Sequence, residues 1–385
     1  MPAPAAASIF DLAVVGAGIV GLAHALAAAR AGKRVAVIER DTRANGASIR
    51  NFGFITVTGQ ARGDSWSLAR RTRDVWAEVA DPAGIPVEHH GLYLTARSLE
   101  AMAVIEAFLA TEMGEGCRML SPTTFRELTN GLGGAGLQGA LHSPHDLRVE
   151  SRTAIPALAA WLEAAHGVTF FRETAVHEIA PPRLRTSRGM IDADAVVVCP
   201  GDDFSTLYPE RIAGYGLRRC RLSMLKLAAP GFRLPGALMS DLGLTRYRGY
   251  ADLPEARALE AKLRAEQPRH FDNGVHLIVA QGADGGLIVG DSHHYDRLPP
   301  PFAPVEAEED ILDEYRRALG QAPPPVRERW TGVYAVADDR TYLIDAPEPR
   351  VRLVIVTSGT GASTGFGIAE RVVGELMGLS EERPA

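Results

Sequence analysis

The sequence predicts an α/β fold in which a dinucleotide-binding domain is interleaved with an α+β domain built on an antiparallel sheet. Three observations support this prediction. A strand–loop–helix–strand unit opens the chain, a second glycine-rich loop leads into a helix near its end, and the elements between them do not alternate regularly. We expect the first domain to comprise residues 1–80, 146–215 and 326–385, and the second to comprise 81–145 and 216–325.

The opening unit has the order of elements that a Rossmann βαβ unit requires. Asp11–Val15 is a short apolar run bounded by glycine, which is typical of a buried parallel strand. The alanine-rich stretch Leu22–Ala31 favours a helix, with Gly32 where a helix C-cap glycine belongs. Arg34–Ile38 then predicts a second buried strand.

The loop between the first strand and the helix has the GxGxxG spacing. Gly16 permits the tight turn, Gly18 lets the backbone approach a pyrophosphate, and Gly21 lets the helix pack against the strand. Glu39, at the end of the second strand, is placed to accept hydrogen bonds from a ribose, which disfavours NADP. This fingerprint alone leaves NAD and FAD open.

The C-terminal region favours FAD. Val351–Thr357 predicts another buried strand, and the glycine-rich loop 358–367 follows it and leads into a helix at Ile368–Met377. A helix N-terminus stabilises the negative charge of a reduced flavin, whereas an NAD enzyme has no need of one here. Attachment should be non-covalent, because the loop has no cysteine and Arg50-Asn51 offers no His or Cys.

The middle of the chain suits an antiparallel sheet flanked by helices. Its periodicity predicts strands at Gly91–Ala96, Leu217–Leu227 and Leu244–Tyr250, a hairpin of Val275–Gln281 and Gly286–Gly290, and helices at Leu99–Met113, Ser151–His166, Pro254–Glu266 and Glu306–Leu319.

Bulk composition narrows the class of protein. The 385 residues are 46% hydrophobic and 23% charged, with a net charge of −6 and no long basic run, so nucleic acid is not an expected partner. Met1–Ser8 lacks a basic region and the first apolar run breaks at Gly16, so we expect neither a signal peptide nor a membrane span. Three scattered cysteines without a CxxC pair indicate a reducing cytoplasm and no metal site.

Taken in this order, the chain resembles the glycine/D-amino-acid oxidase and sarcosine oxidase family of FAD-dependent flavoproteins over nearly its whole length. The resemblance implies oxidation of a small amine by hydride transfer to flavin N5. Val176 is similar to the family residue whose backbone contacts adenine, and 330–344 resembles the late segment that leads back to the flavin. That segment has Asp339-Arg340-Thr341-Tyr342 in place of the family's Asp-Gly-x-Pro.

A narrower resemblance concerns two short motifs. Arg50-Asn51-Phe52-Gly53, after Ala47-Ser48, and the segment 290–295 are similar to the branch associated with aminoalkylphosphonate breakdown. This implies oxidation of 2-aminoethylphosphonate or an N-alkyl derivative to an aldehyde plus an amine. Oxidation of glycine, sarcosine or a D-amino acid is the alternative, and either oxygen or another carrier accepts the electrons.

The expected FAD contacts come from both glycine-rich loops and the segments between them. They are Gly16, Gly18, Ile19, Val20, Gly21, Glu39, Arg40, Ser48, Arg50, Asn51, Phe52, Val176, Gly201, Gly361, Gly365, Phe366 and Gly367.

Amine oxidation by a flavin needs groups that anchor and orient the substrate rather than a nucleophile. If 244–250 is a strand, its two arginines share one face, and either suits a phosphonate or carboxylate. His293 and Tyr295 share a side of an extended segment. The catalytic candidates are Arg50, Arg246, Tyr247, His293 and Tyr295.

Each of these candidates has a structural alternative. Arg50 suits an FAD-phosphate contact or a structural role equally well, Arg246 and Arg248 suit the surface of an edge strand, and His293 suits a solvated loop. Lys226 could assist oxygen activation through its charge or lie at a strand edge with its amine in water. For the chain as a whole, the competing hypotheses are an NAD-dependent dehydrogenase and a non-catalytic flavin-binding module.

Overall fold

A computed structural model describes residues 10–379. The expectation for Met1–Ser8 therefore lies outside the described residues. No helix within 10–379 is both long enough and apolar enough to cross a membrane.

Eighteen strands form within the described residues. They are β1 Phe10–Val15, β2 Val35–Ile38, β3 Phe54–Ile55, β4 Val87–Ala96, β5 Arg118–Leu120, β6 Gly139–Val149, β7 Thr169–Phe171, β8 Val176–Ala180, β9 Arg183–Thr186, β10 Gly189–Val198, β11 Arg218–Leu227, β12 Ala237–Met239, β13 Ile278–Gln281, β14 Leu287–Gly290, β15 His294–Asp296, β16 Val326–Val336, β17 Tyr342–Asp345 and β18 Val351–Val356.

Eleven α-helices accompany them in the same part of the chain. They are α1 Ile19–Arg30, α2 Asp64–Ala80, α3 Leu99–Leu109, α4 Pro122–Leu128, α5 Ser151–His166, α6 Pro209–Gly214, α7 Arg248–Ala251, α8 Ala256–Glu266, α9 Pro268–Asp272, α10 Val305–Leu319 and α11 Gly361–Met377.

The first sheet has the parallel core that the opening residues predict. Its order is β17-β18-β10-β1-β2-β7, with the β8–β9 hairpin joined to β10. β1 pairs in parallel with both β2 and β10, so that Val14 lies opposite Val37 and Val197. These side chains are fully buried, because helices α1, α2, α5 and α11 pack on one face of the sheet and the β8–β9 hairpin covers part of the other.

The second sheet is almost entirely antiparallel. Its order is β15-β11-β14-β13-β12-β4-β6-β3, with β16 also paired to β11 and β5 to β6. The predicted hairpin is present as β13 and β14, which pair from Ile278–Gly290 to Gln281–Leu287. Helices α3, α8 and α10 contribute Phe108, Leu259 and Tyr315 to the core on this sheet. The predicted fold class is confirmed.

The sheets depart from the predicted domain segments at three strands, of which β6 runs across the predicted boundary between residues 145 and 146. β3 lies within the predicted segment 1–80 and β16 begins the predicted segment 326–385, yet both strands belong to the second sheet. The chain therefore crosses between the sheets inside these segments. Strand periodicity cannot show this, because it does not identify the partner of a strand.

The prediction of a strand over 244–250 is wrong. A 3₁₀ turn at Asp241–Thr245 and helix α7 occupy this region. The Gly249 N–H donates to the Gly59 carbonyl at 2.9 Å, and a Cβ on Gly249 would lie 2.5 Å from the carbonyl oxygen of Gln60. This close packing against 59–60 decides the local structure, whereas the apolar–polar alternation in the sequence carried no information about it.

Candidate active site

A cavity of about 610 Å³ lies between the two sheets. One side is formed at the carboxyl ends of four strands of the first sheet, where Val15, Ile38, Val198 and Val356 line it. The other side is formed by the second sheet. Ligands of open parallel sheets bind at this edge, because the loops there leave a crevice between diverging connections.

The first glycine loop brings bare backbone to the cavity wall. Gly16 has φ +103°, and a Cβ there would lie 2.5 Å from the Cys199 carbonyl oxygen. A Cβ on Gly21 would lie 1.9 Å from the carbonyl oxygen of Gly16, and one on Gly18 would lie 2.9 Å from Ser48 Oγ. The tight turn at Gly16 and the close packing at Gly21 are therefore present in the fold, and the approach of Gly18 to a pyrophosphate stays a prediction.

The segment 47–53 closes over this loop. Ser48 Oγ accepts a hydrogen bond from the Ile19 N–H at 2.9 Å. Asn51 holds the following turn, since it accepts from the Gly53 N–H at 2.6 Å and donates to the Ala47 carbonyl at 2.7 Å. These contacts fix the backbone on either side of Arg50, which lines the cavity.

Glu39 is buried at the end of β2 and lines the same cavity. Its Oε2 accepts from the Ala17 N–H at 2.8 Å, and its Oε1 accepts from the Asp41 N–H at 3.0 Å. Each carboxylate oxygen has a further lone pair, so the same group can accept from a ribose while it holds the glycine loop.

We expect Glu39→Ala to weaken FAD binding by about 1.5–3 kcal/mol, the scale of hydrogen bonds to a charged group. Equilibrium titration of the apoprotein with FAD measures this change. Glu39→Gln, which keeps an oxygen acceptor, should lose less affinity. Glu178→Ala, at an exposed position of β8, is the control. An unchanged dissociation constant for Glu39→Ala would restrict Glu39 to holding the loop.

The second glycine loop meets the cavity at the start of α11. The helix begins at Gly361 rather than Ile368, and Gly361, Ala362 and Ser363 line the cavity. Gly359, with φ +73°, lies against Tyr334, since a Cβ there would be 2.9 Å from the ring carbon Cζ. The first turn of α11 thus offers its N–H groups and its positive dipole end to the cavity.

Three residues expected to contact FAD lie behind the cavity wall. Gly365, Phe366 and Gly367 are within α11 and do not line the cavity. Phe366 packs edge-on against Trp76 at 5.3 Å, and a Cβ on Gly367 would lie 3.0 Å from Leu68. The prediction is corrected for these residues: Phe366 and Gly367 pack α11 on α2, and Gly365 faces Val20 of α1.

The other expected FAD contacts all line the cavity. They are Gly16, Gly18, Ile19, Val20, Gly21, Glu39, Arg40, Ser48, Arg50, Asn51, Phe52, Val176, Gly201 and Gly361. The glycine cradle, the buried acceptor at Glu39 and the N-terminus of α11 together fit a dinucleotide that ends in an electron-accepting ring.

The second sheet brings the substrate candidates to the same cavity. Arg246 donates through Nη2 to the Tyr334 hydroxyl at 3.3 Å. The rings of His293 and Tyr295 stack at 6.2 Å, as expected from their shared side of the chain. Tyr247, directly after Arg246, also lines the cavity.

Asp291, His276 and Tyr334 line this part of the cavity but were missed as candidates. Burial raises the pKa of Asp291 to about 7, although Arg246 opposes the shift. Burial and the charge of Arg246 lower the pKa of His276 to about 3 and that of His293 well below its usual value. A signal for Asp291 was present in the sequence, because it precedes Ser292 and His293 at a predicted strand end.

Two cationic candidates do not act as expected. Arg248 lines the cavity like Arg246, but its side chain is exposed on α7 and its guanidinium pairs with Asp252 at 3.2 Å. Side chains two residues apart lie on one face of a strand, but they point in different directions in helical backbone. The 3₁₀ turn and α7 therefore do not align the two guanidinium groups as a strand would. Lys226 pairs with Asp284 at 2.6 Å and is not among the cavity-lining residues.

A model of the family described as FAD-dependent oxidoreductase, the DAO family, matches residues 11–374. The chain belongs to the DAO family of FAD-dependent oxidoreductases. Its expected cofactor, FAD, is confirmed with the family. The match also decides against the NAD-dependent dehydrogenase, which the first glycine loop alone had left open.

The chain is also similar to individual DAO-family proteins. A glycine oxidase from Geobacillus kaustophilus is 27% identical over 206 residues, which are 50% of this chain and 54% of that protein. The match thus spans about half the length of that relative.

Two solved structures share the fold. A glycine oxidase from Bacillus cereus matches with a TM-score of 0.77 at 16% identity, covering 97% of this chain and 96% of that one. An L-proline dehydrogenase from P. horikoshii matches with a TM-score of 0.77 at 17% identity, covering 98% and 96%.

Proposed function

We propose that this protein oxidises a small primary or secondary amine that carries an anionic group, with 2-aminoethylphosphonate or an N-alkyl derivative as the preferred substrate. A hydride leaves the carbon beside the nitrogen, and FAD when bound supplies the acceptor. Water then adds to the resulting imine, which gives an aldehyde plus an amine.

The observation that carries this proposal is the position of Arg246. Its guanidinium lies at the cavity and donates a hydrogen bond to the hydroxyl of Tyr334 rather than to a carboxylate. Among residues 10–379 it forms no ion pair within 4.0 Å. A desolvated guanidinium without a carboxylate partner is best satisfied by an anionic ligand, which accepts two parallel hydrogen bonds from it.

The phosphonate preference rests on the number of donors near Arg246. A phosphonate dianion needs more positive charge or more strong donors than a carboxylate does. Six arginines line the cavity, and among residues 10–379 only Arg50 and Arg246 of these form no ion pair within 4.0 Å, since the others, Arg40, Arg218, Arg248 and Arg340, pair with aspartates. The hydroxyls of Tyr247, Tyr295 and Tyr334 are further donors. The residues proposed to act on the substrate are thus the five sequence candidates together with Tyr334.

Oxidation of glycine, sarcosine or a D-amino acid is the second candidate function. It is favoured by the glycine oxidase similarity and by the position of Arg248, whose pairing with Asp252 leaves fewer arginines for the ligand. One arginine suffices for a carboxylate. The charge count near Arg246 is therefore the feature that distinguishes the two functions.

Anaerobic reduction of the purified holoprotein by a panel of amines tests the proposal. The panel contains glycine, sarcosine, D-alanine, 2-aminoethylphosphonate and its N-methyl form, and the loss of flavin absorbance is followed with time. We expect the N-methyl aminophosphonate to reduce the flavin faster than sarcosine. Faster reduction by sarcosine or D-alanine would establish the amino-acid function instead. Absence of reduction by every amine would indicate a non-catalytic flavin-binding protein.

The same samples decide the electron acceptor. Mixing the reduced protein with oxygenated buffer and following the return of flavin absorbance separates an oxidase, which reoxidises rapidly, from a dehydrogenase, which requires another carrier.

A further inference from the structure

Asp291 differs from the other buried aspartates in what surrounds its carboxylate. Asp146 accepts from the Val57 N–H at 2.9 Å, Asp241 pairs with Arg97 at 2.5 Å, and Asp345 pairs with Arg211 at 2.5 Å. Asp310 is held by Arg269 and Asn273. Each of these carboxylates is thus neutralised or hydrogen-bonded within the protein, as a buried acceptor must be.

Among the described residues, the Asp291 carboxylate has a hydrogen bond from its own backbone N–H and the charge of Arg246 near it, but no side chain within hydrogen-bonding distance. Asp291 Oδ2 lies 3.7 Å from His293 Nε2, which is beyond hydrogen-bonding distance. The other ring nitrogen of His293, Nδ1, lies 2.8 Å from the Gly274 carbonyl oxygen and so donates to it, which leaves Nε2 without a proton in the neutral ring. The carboxylate is only 8% exposed and its residue lines the cavity.

The groups around Asp291 come from several elements. Arg246 and Tyr247 face it from the segment before α7, and Cys220 faces it from β11. His276 belongs to the backbone that is hydrogen-bonded to Asp291. His293 and Tyr295 face it from its own segment. Of these only Arg246 carries a charge at neutral pH, because the low pKa values of both histidines keep them neutral. The site thus contains one cation, Arg246, which can bind an anionic group, and one carboxylate, Asp291, which can bind an ammonium group. This arrangement suits a zwitterionic ligand.

We propose that Asp291 receives the proton that the substrate ammonium must lose before oxidation. The N–H bond of the ammonium breaks, the electron pair stays on nitrogen, and the proton forms an O–H bond with the Asp291 carboxylate. No oxidant takes part in this transfer. The inference rests on the proposed amine oxidation, because only an amine with a free electron pair releases hydride from the neighbouring carbon.

The energetics permit this transfer. An alkylammonium has a pKa of about 10 in water. Burial disfavours the charged form of both partners, so it lowers the pKa of the ammonium and raises that of the carboxyl. Burial already raises the pKa of Asp291 to about 7, which reduces the difference between the pKa of the carboxyl and that of the ammonium.

The pH dependence of anaerobic flavin reduction tests this role. With wild type and saturating N-methyl-2-aminoethylphosphonate, we expect the rate constant to level off above about pH 8, where Asp291 is ionised. In Asp291→Asn the amine must arrive already neutral. Reduction should then be about 500-fold slower than in the wild type at pH 7, because only about one amine in a thousand is neutral there, and should rise about tenfold per pH unit until the pKa of the free amine is reached.

Matched controls separate proton transfer from a structural effect. Asp284→Asn alters an exposed aspartate in the turn between β13 and β14, outside the cavity, and should keep the wild-type profile. Propylphosphonate has no amine, so its binding, seen as a perturbation of the flavin spectrum, should change by less than about threefold in Asp291→Asn. If Asp291→Asn fails to hold FAD, Asp291→Glu replaces it, and the pH of the plateau must then shift.

The outcomes distinguish this inference from the proposed function. An Asp291→Asn profile parallel to that of the wild type, merely scaled down, overturns the proton-transfer role and leaves amine oxidation intact. An unshifted plateau in Asp291→Glu does the same. Absence of wild-type reduction by any amine overturns the proposed function, and this inference with it.

Discussion

We expect Gly18→Val to yield a folded protein without FAD and without visible colour. Gly18 has φ −69° and ψ 174°, a conformation that valine adopts without strain. The added side chain instead occupies space, since its Cβ lies 2.9 Å from Ser48 Oγ and its methyl groups extend beyond it at the cavity wall. The pyrophosphate and these methyl groups would compete for the same volume. The backbone N–H groups of the loop could then no longer come within hydrogen-bonding distance of the pyrophosphate. The ratio of flavin to protein absorbance, with far-UV circular dichroism as the test of folding, measures the result.

Two control variants give this experiment its specificity. Gly214→Val places the same side chain at the end of α6, where a Cβ meets nothing within 4 Å, and should keep the full flavin content. Ser48→Ala removes the acceptor of the Ile19 N–H without filling space, so it should retain more FAD than Gly18→Val. A folded Gly18→Val protein with the normal flavin content would exclude the loop as the pyrophosphate site.

Arg246→Ala should weaken the binding of an anionic amine by about 2–5 kcal/mol, because it leaves a buried anion without its charge partner. That energy corresponds to a loss of about 30-fold to several-thousand-fold in affinity. The loss should be larger for N-methyl-2-aminoethylphosphonate than for an uncharged amine of similar length. The substrate concentration dependence of anaerobic flavin reduction measures both affinities.

Arg248→Ala is the matched control for this prediction. Its side chain lies at the cavity but is 59% exposed and already paired with Asp252, so its removal should change affinity by less than about threefold. Arg246→Lys keeps the charge but not the paired donors, and should recover only part of the lost affinity. Equal losses in Arg246→Ala and Arg248→Ala, or a loss that does not depend on the charge of the substrate, would contradict an anchoring role for Arg246.

The nucleotide half of the site could be predicted from the sequence because its determinants are local. The glycine loop, the helix after it and the acid at the end of β2 lie within about thirty residues, and a bare backbone next to a phosphate requires glycine whatever surrounds it. The second glycine loop, 358–367, predicted a contact with the flavin on similarly local grounds. The error at Gly365 to Gly367 arose because glycine also permits the close packing of α11, and sequence does not separate these two uses.

The substrate half depended on tertiary structure. Its side chains come from separate strands and turns of the second sheet, and only the order of those strands brings Arg246, Asp291 and Tyr334 to one cavity. The alternation at 244–250 predicted a strand that placed Arg246 and Arg248 together, whereas packing against Gly59 forms helical turns that separate them. The two glycine-rich loops, each local in sequence, together predicted the cofactor. The folded chain determined the partners and the burial of each charged group, because these depend on residues distant in sequence. Partners and burial are what distinguish an anchoring arginine from a surface one.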